Sequence, residues 1–227
     1  MSFGALISSP LGQILLETHE TGLTGLYFTD QRDCPRWPGL AATDQPIANP
    51  SDGQQDGRPA RLLKAWRSAP SDTGPLFAAD ADQAASAGLP AAGQPSAAIQ
   101  YLQDDTPPRA QAILTQARQE LQEYWQGRRQ AFDVSLAPQG SAFQKTVWQA
   151  LLTVGYGFTL SYGGLAREAG FGPRHGRAVG TAVGSNPISI IIPCHRILAG
   201  NQTLNGYGGG LGRKIQLLRL EGFEIHA

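Results

Sequence analysis

The sequence predicts an α/β protein of two domains, a small N-terminal unit of strands and one helix followed by a mostly helical C-terminal unit. Three observations carry this. Short apolar runs separated by Gly and Pro turns fill residues 3–28. Helical spacing begins near residue 106 and recurs in short segments punctuated by glycine. An isoleucine-rich run, Ile188 to Ile192, ends abruptly in Pro193-Cys194-His195-Arg196. The chain has 227 residues, 41% of them hydrophobic, enough for one or two such domains.

Several classes are disfavoured at once. No apolar run approaches the ~20 residues of a membrane helix, and Met1-Ser2-Phe3-Gly4 lacks the basic and apolar regions of a signal peptide. The two cysteines, Cys34 and Cys194, make neither a disulfide framework nor a CxxC metal pair. A cytoplasmic, reducing setting is expected. Net charge is zero, but residues 1–108 hold six Lys/Arg against twelve Asp/Glu, and residues 109–227 the reverse. The positive second half permits a polyanionic partner without demanding one.

In order, residues 3–9, 13–18 and 23–28 read as three strands of an antiparallel meander, turning at Pro10-Leu11-Gly12 and Thr21-Gly22. From about 31 to 108 the composition shifts to Ala, Pro, Gln, Asp, Ser and Gly, with no Glu and no sustained period. Such a stretch cannot bury enough apolar surface to offset its ordering entropy, and it reads as a flexible insertion within the first domain. Thr106 is the expected N-cap of a helix with Pro107 and Pro108 in its first turn. Ile113, Ala117, Leu121, Tyr124 and Trp125 would form its buried face, and Gly127 its end. Phe132, Val134 and Leu136 alternate as a further strand, and Pro138-Gln139-Gly140 is a plausible junction. The expected domains are therefore 1–137 and 138–227.

Ser141 and Gln144 form a capping box for a helix burying Phe143, Val147, Ala150 and Leu151. Ser161 caps a second helix to about Ala169, Gly170-Phe171-Gly172 turns the chain, and Pro173 begins a third helix to about Val183. This is a helix-turn-helix pattern. Small residues line the third helix: Gly176, Ala178, Gly180, Thr181, Ala182 and Gly184. Each glycine costs a helix roughly 1 kcal/mol relative to Ala, so something must approach the backbone closely. A nucleic-acid groove and a packed neighbouring helix both fit. Asn186 can tie the next turn through its side chain. Tyr207, in the glycine-rich loop ending near Gly210, can stack on a planar ligand or pack the loop down. Residues 214–220 form a last helix, closed by Glu221-Gly222.

Cys194 beside His195, at the end of a rigid buried segment, is what a cysteine nucleophile needs, although a buried structural Cys next to a surface His would read the same.

Ser161-Tyr162-Gly163, Arg177-Ala178-Val179-Gly180, Asn186-Pro187, Pro193-Cys194-His195-Arg196, Gly206-Tyr207 and Glu221-Gly222 occur in one order and spacing. Together they closely resemble the O6-alkylguanine-DNA alkyltransferases, or methylated-DNA–protein-cysteine S-methyltransferases, densely over about 132–223 and weakly before. The resemblance implies a ribonuclease-H-like N-terminal α/β domain and a winged-helix-like C-terminal domain. It implies DNA repair by direct reversal: one transfer of an alkyl group from O6 of guanine, extending to O4 of thymine, in double-stranded DNA to Cys194. The nucleotide is flipped out of the helix. By resemblance His195 is the base acting through a water, Glu221 orients it, and Asn186 holds the turn. Tyr162, Ser189, Tyr207, Gly208 and Gly209 would line the substrate pocket. Arg174, Gly176, Arg177, Ala178 and Gly180, with Tyr162, would meet the minor groove, Arg177 filling the gap left by the flipped base. Pro193 and Arg196 would support the site. No cofactor or metal is expected, Cys34 and His19 being too few for a closed zinc site. The expected state is a monomer, able to bind DNA cooperatively, with no membrane partner. The family pattern has Ala more often at Gly176 and Ser at Gly208, which points to a looser helix and a roomier pocket. Two other readings stand beside this one: a non-catalytic sensor of alkylation damage, which would lack the acceptor Cys, and a helix-turn-helix regulator, which would not need Pro-Cys-His.

Overall fold

The structure, a computed structural model, describes residues 1–37, 61–62 and 99–226. Strands β1 (Phe3–Ser9), β2 (Gly12–His19) and β3 (Gly22–Phe28) form the expected meander, with Phe3 opposite Thr18 and Leu16 opposite Leu26. The first turn is closed by Ser9, whose hydroxyl donates to Gly12 O at 2.6 Å and accepts from Leu11 N at 3.2 Å. Gly12 there takes φ 118°, a conformation that favours glycine.

The insertion expected over about 31–108 lies mostly outside the described residues; within its interior only the backbone of β4 (Arg61–Leu62) is described. Its ends do not fit that expectation. Strand β5 (Gln100–Tyr101) pairs with β1, giving a four-stranded sheet in the order β3-β2-β1-β5. Leu102 N donates to Gly4 O at 2.9 Å, Gln103 Oε1 accepts from Gly4 N at 2.9 Å, and Trp37 Nε1 donates to Glu17 Oε1 at 3.0 Å. The open edge of β1 needs hydrogen-bond partners, and residues flanking the low-complexity stretch supply them.

Helix α1 (Pro108–Trp125) lies across this sheet. Its N-cap is Pro107 rather than Thr106, whose hydroxyl instead donates to Gln103 O at 2.8 Å. The buried face is Ala110, Leu114, Ala117, Glu120, Leu121 and Tyr124, with Ile113 and Trp125 at its margins. Gly127, at φ 69°, ends the helix as expected. Residues 132–136 are not a strand. Glu120 Oε2 accepts from Asp133 N at 2.9 Å and Val134 N at 3.2 Å, so a side chain takes the bonds a strand partner would have made. Only a parallel bridge between Leu23 and Leu136 remains.

Helix α2 (Ala142–Leu151) begins on the expected reciprocal Ser141–Gln144 capping box. After it come β6 (Leu160–Ser161), α3 (Tyr162–Glu168) capped by the Ser161 hydroxyl, a short 3-10 turn at Pro173–His175, and α4 (Gly176–Gly184). Trp148 Nε1 donates to Ala182 O at 2.8 Å and fixes α2 against α4. Strand β7 (Ile197–Leu198) pairs in parallel with β6. Helix α5 (Leu211–Leu220) is capped by Glu221, and β8 (Ile225–His226) pairs with β4.

The isoleucine run reads as a core strand. It is buried throughout, yet it coils. Ile188 makes one bridge to Leu26, Ile190 takes φ 72°, and Cys194–Arg196 is a 3-10 turn. A β-branched residue in the left-handed region is strained, and the surrounding core holds it there. One hydrophobic cluster runs from the sheet through α1 to α2, α3, α4 and this run. The fold is thus an N-terminal sheet and helix joined to a helical C-terminal region.

Candidate active site

The site is built on the coiled isoleucine segment. Asn186, buried at the end of α4, substitutes for missing backbone pairing. Its amide donates to Ile192 O at 2.8 Å, Cys194 Sγ at 3.1 Å and Ile188 O at 3.3 Å, while its carbonyl accepts from Ile188 N at 3.1 Å. One side chain therefore ties the turn and touches the sulfur. Pro193 stops the segment and starts the 3-10 turn that carries Cys194, His195 and Arg196.

His195 is fully buried, and its Nε2 lies 2.9 Å from Glu221 Oε1. Arg196 binds the same carboxylate with Nε at 2.9 Å from Oε2 and Nη2 at 2.8 Å from Oε1, and donates Nη1 to Val154 O at 2.6 Å. Tyr124, from α1, donates to Glu221 Oε1 at 2.8 Å. Burial alone would raise the Glu221 pKa, but His195 and Arg196 more than reverse it, to about 2. Glu221 is therefore ionised, and Nε2 carries the imidazole proton. The other nitrogen, Nδ1, is a buried acceptor without a partner among the described residues. Burial lowers the His195 pKa and raises that of Cys194, so the resting pair is neutral imidazole and neutral thiol. Lys214, on α5, is buried and donates to Ile197 O at 2.6 Å and Asn205 O at 3.2 Å. Burial brings its pKa down to about 8, and its charge favours the Cys194 thiolate.

A cavity of about 140 Å³ opens above the sulfur, several times the ~10–15 Å³ that one water needs. Asn186, Ser189 and Cys194 form its floor. Tyr162, Gly180, Val183 and Gly184 line the helix side, Gly206, Tyr207 and Gly208 the loop side, and Gln31 and Asp33 the rim. Burial, and the nearby Cys194, raise the Tyr162 pKa, so its phenol stays protonated. The buried Tyr207 hydroxyl faces Ser189 without closing a well-formed hydrogen bond.

The structure brings together Cys194, His195, Asn186, Arg196 and Glu221, and puts Tyr162, Ser189, Tyr207, Gly180 and Gly208 around the cavity. Gly209 is not on its wall. A Cβ there would sit 2.8 Å from the rings of Phe28 and Tyr207, so this glycine lets the loop lie on the sheet. Arg174, Arg177 and Ala178 lie outside the cavity, exposed, with Gly176 partly covered. Sequence reasoning missed Tyr124, Lys214, Gln31 and Asp33. A lysine within the apolar spacing of α5 was the one available signal. Among the described residues no three His, Cys, Asp or Glu side chains gather as a metal site, and no helix is long and apolar enough to cross a membrane.

Comparison with known proteins adds to this geometry. A family model described as the DNA-binding domain of 6-O-methylguanine DNA methyltransferase matches residues 142–223. A Methanosarcina acetivorans protein named methylated-DNA–protein-cysteine methyltransferase is 49% identical over 107 residues, 47% of this chain and 68% of that protein. A Haemophilus influenzae protein of the same name is 48% identical over 122 residues, 53% of this chain and 65% of the relative. A Mycobacterium tuberculosis relative, 51% identical, is spanned over 61% of its length. The crystal structure of Mycobacterium tuberculosis O6-methylguanine methyltransferase superposes with a TM-score of 0.59 at 30% identity, covering 97% of this chain and 93% of that one. A structure of the Mycobacterium tuberculosis protein in complex with DNA superposes equally well, at 30% identity, over 95% and 90% of the two chains.

Proposed function

The chain belongs to the methylated-DNA–protein-cysteine methyltransferase family, and we propose that it repairs double-stranded DNA by moving a methyl or larger alkyl group from O6 of guanine to Cys194, once per molecule. The observation that carries this is the buried, unpartnered Nδ1 of His195, whose Nε2 proton is committed to an ionised Glu221. A base with one nitrogen locked and the other bare is prepared to take a proton.

Cys194 Sγ attacks the alkyl carbon. The S–C bond forms as the C–O6 bond breaks, and the thiol proton passes through a water to His195 Nδ1. Glu221, itself held by Arg196, holds the resulting imidazolium in place, and the charge of Lys214 favours the transient thiolate. The Tyr162 phenol, kept protonated by burial, donates to the purine as negative charge develops on it. The thioether is a poor leaving group, so turnover ends there. Reaching the lesion requires flipping the nucleotide, at a cost of a few kcal/mol. Arg177, exposed on α4, fills the vacated stack, while Arg174, Gly176, Ala178 and Gly180 let the helix approach the minor groove. Phosphate contacts dominate, since repair must work in any sequence.

The N-terminal unit (residues 1–137) is ribonuclease-H-like in this reading, and the C-terminal unit (138–227) winged-helix-like. The protein acts as a cytoplasmic monomer. A non-catalytic sensor of lesions is disfavoured by Cys194 itself, and a regulator by the buried proton relay behind it.

The test is to incubate the protein with a duplex carrying O6-methylguanine and weigh the intact chain. A gain of one CH2 on the Cys194 peptide is expected, and Cys194→Ala should abolish it while retaining DNA binding. Unmodified protein with tight lesion binding would establish the sensor instead.

A further inference from the structure

Four of the side-wall residues of the acceptor cavity, Gly180, Gly184, Gly206 and Gly208, bring no side chain to it. The Asn186 amide is occupied by two carbonyls and the sulfur. Besides Tyr162, Val183, Ser189 and Tyr207, two side-chain-bearing residues from the other part of the molecule, Gln31 and Asp33, line the cavity from the loop that leaves β3.

That loop is held firmly. Gln31 N donates to Phe28 O and Gln31 Oε1 accepts from Phe28 N, each at 3.0 Å, and Cys34 N donates to Gln31 O at 3.1 Å. With its carbonyl so engaged, the Gln31 side chain has its NH2 left to offer. Asp30 Oδ2 accepts from Arg213 Nη2 at 2.8 Å in a nearly buried ion pair. Arg213 also donates to Gly209 O at 2.9 Å and Leu11 O at 2.8 Å, and its guanidinium carbon lies 4.1 Å from the centroid of the Phe28 ring. One arginine thus clamps the rim loop, the glycine loop and the first turn of the sheet together. The rim is a fixed wall, and Asp33 stands on it exposed, without a hydrogen-bond partner among the described residues.

We propose that Gln31 and Asp33 are specificity-determining residues that select the alkyl group, favouring small uncharged groups over bulky or anionic ones, with Asp30 and Arg213 as the positioning pair. This rests on the transfer reaction proposed above. Gln31 restricts the width of the entrance, and the Asp33 carboxylate repels a second negative charge.

The experiment compares single-turnover transfer from duplexes carrying O6-methyl-, O6-benzyl- and O6-carboxymethylguanine, in the full chain and in Gln31→Ala and Asp33→Asn. Each rate is referred to methyl transfer by the same variant. Gln31→Ala should raise the benzyl-to-methyl ratio roughly tenfold or more, the scale on which pockets sense added carbons. Asp33→Asn should raise the carboxymethyl-to-methyl ratio about fivefold, as expected for relief of a like-charge contact near water. Asp33 is exposed, so its variant folds even where Gln31→Ala disturbs the turn at Phe28. Unchanged ratios in both variants overturn the inference. Absence of methyl transfer by the unmodified chain would instead overturn the reaction on which it rests.

Discussion

Replacing Glu221 by Gln keeps the shape of the side chain and removes its charge. The carboxylate accepts from His195, from Arg196 at two nitrogens and from Tyr124, all within 2.8–3.2 Å and all buried. The variant would leave the Arg196 guanidinium, 5% exposed, without its counter-ion. Breaking one partner of a buried pair costs about 3–5 kcal/mol. The pKa gives a consistent scale: a fall from 4.5 to about 2 corresponds to about 3 kcal/mol. Its sign follows from linkage. The stabilisation is complete above pH 4.5 and is lost as the pH falls toward 2. For a chain of this size, each kcal/mol lowers Tm by about 2–4 °C, so a drop of roughly 6–20 °C is expected. Transfer should suffer as well. A Gln amide can donate to His195 Nε2, which moves the ring proton to Nδ1 and blocks the base, and a loss of about 10²-fold or more is expected. Calorimetry at pH 7 and single-turnover transfer from a labelled duplex read the two effects. A Glu221→Gln protein that melts and transfers like the unmodified chain would falsify the relay.

Asn186→Ala should lower the urea midpoint by an amount equivalent to about 1–3 kcal/mol, since it strands Ile188 N, while Ile188 O and Ile192 O keep their bonds from Ile192 N and Cys194 N; a wild-type midpoint would mean the turn holds without the amide. Because burial keeps both Cys194 and His195 neutral, transfer should not rise from pH 7 to 8, whereas attack by a free thiolate would speed up about tenfold per pH unit below ~8.5. Above pH 8 it should decline as Lys214, with a pKa of about 8, loses its charge; a rate that climbs from pH 7 to 9 would contradict the proposed relay.

What the sequence made legible was mostly local. The Ser141–Gln144 box, the Gly12 and Gly127 turns and the helix-turn-helix spacing each depend on residues within a few positions. The pairing of β5 with β1 was hidden because the partners are separated by about ninety residues of sequence, most of low complexity, and no local period announces a two-residue strand. Residues 132–136 alternate as a strand does, yet Glu120, one turn before the end of α1, took their backbone donors. The isoleucine run could be recognised as buried, but whether it was extended or coiled depended on Asn186 replacing the ladder. At the site, the motif residues were readable and their partners were not. Tyr124 looked like one more core aromatic, and its hydroxyl finds Glu221 only through packing between distant segments. Lys214 resembled any helix lysine until its burial appeared.

The Arg213 clamp has a consequence for the order in which the molecule becomes itself. Its bond to Leu11 spans 202 positions and its bond to Asp30 spans 183, while the Tyr124–Glu221 bond spans 97. Such distant closures come late on a folding path, because loop entropy must be overcome before they form. During synthesis Cys194 is joined to the chain before Glu221, so the thiol precedes the charge that organises its base. A nascent chain therefore carries an unguarded sulfur and no relay, and reactivity arrives only when the last helix docks on strands made at the start.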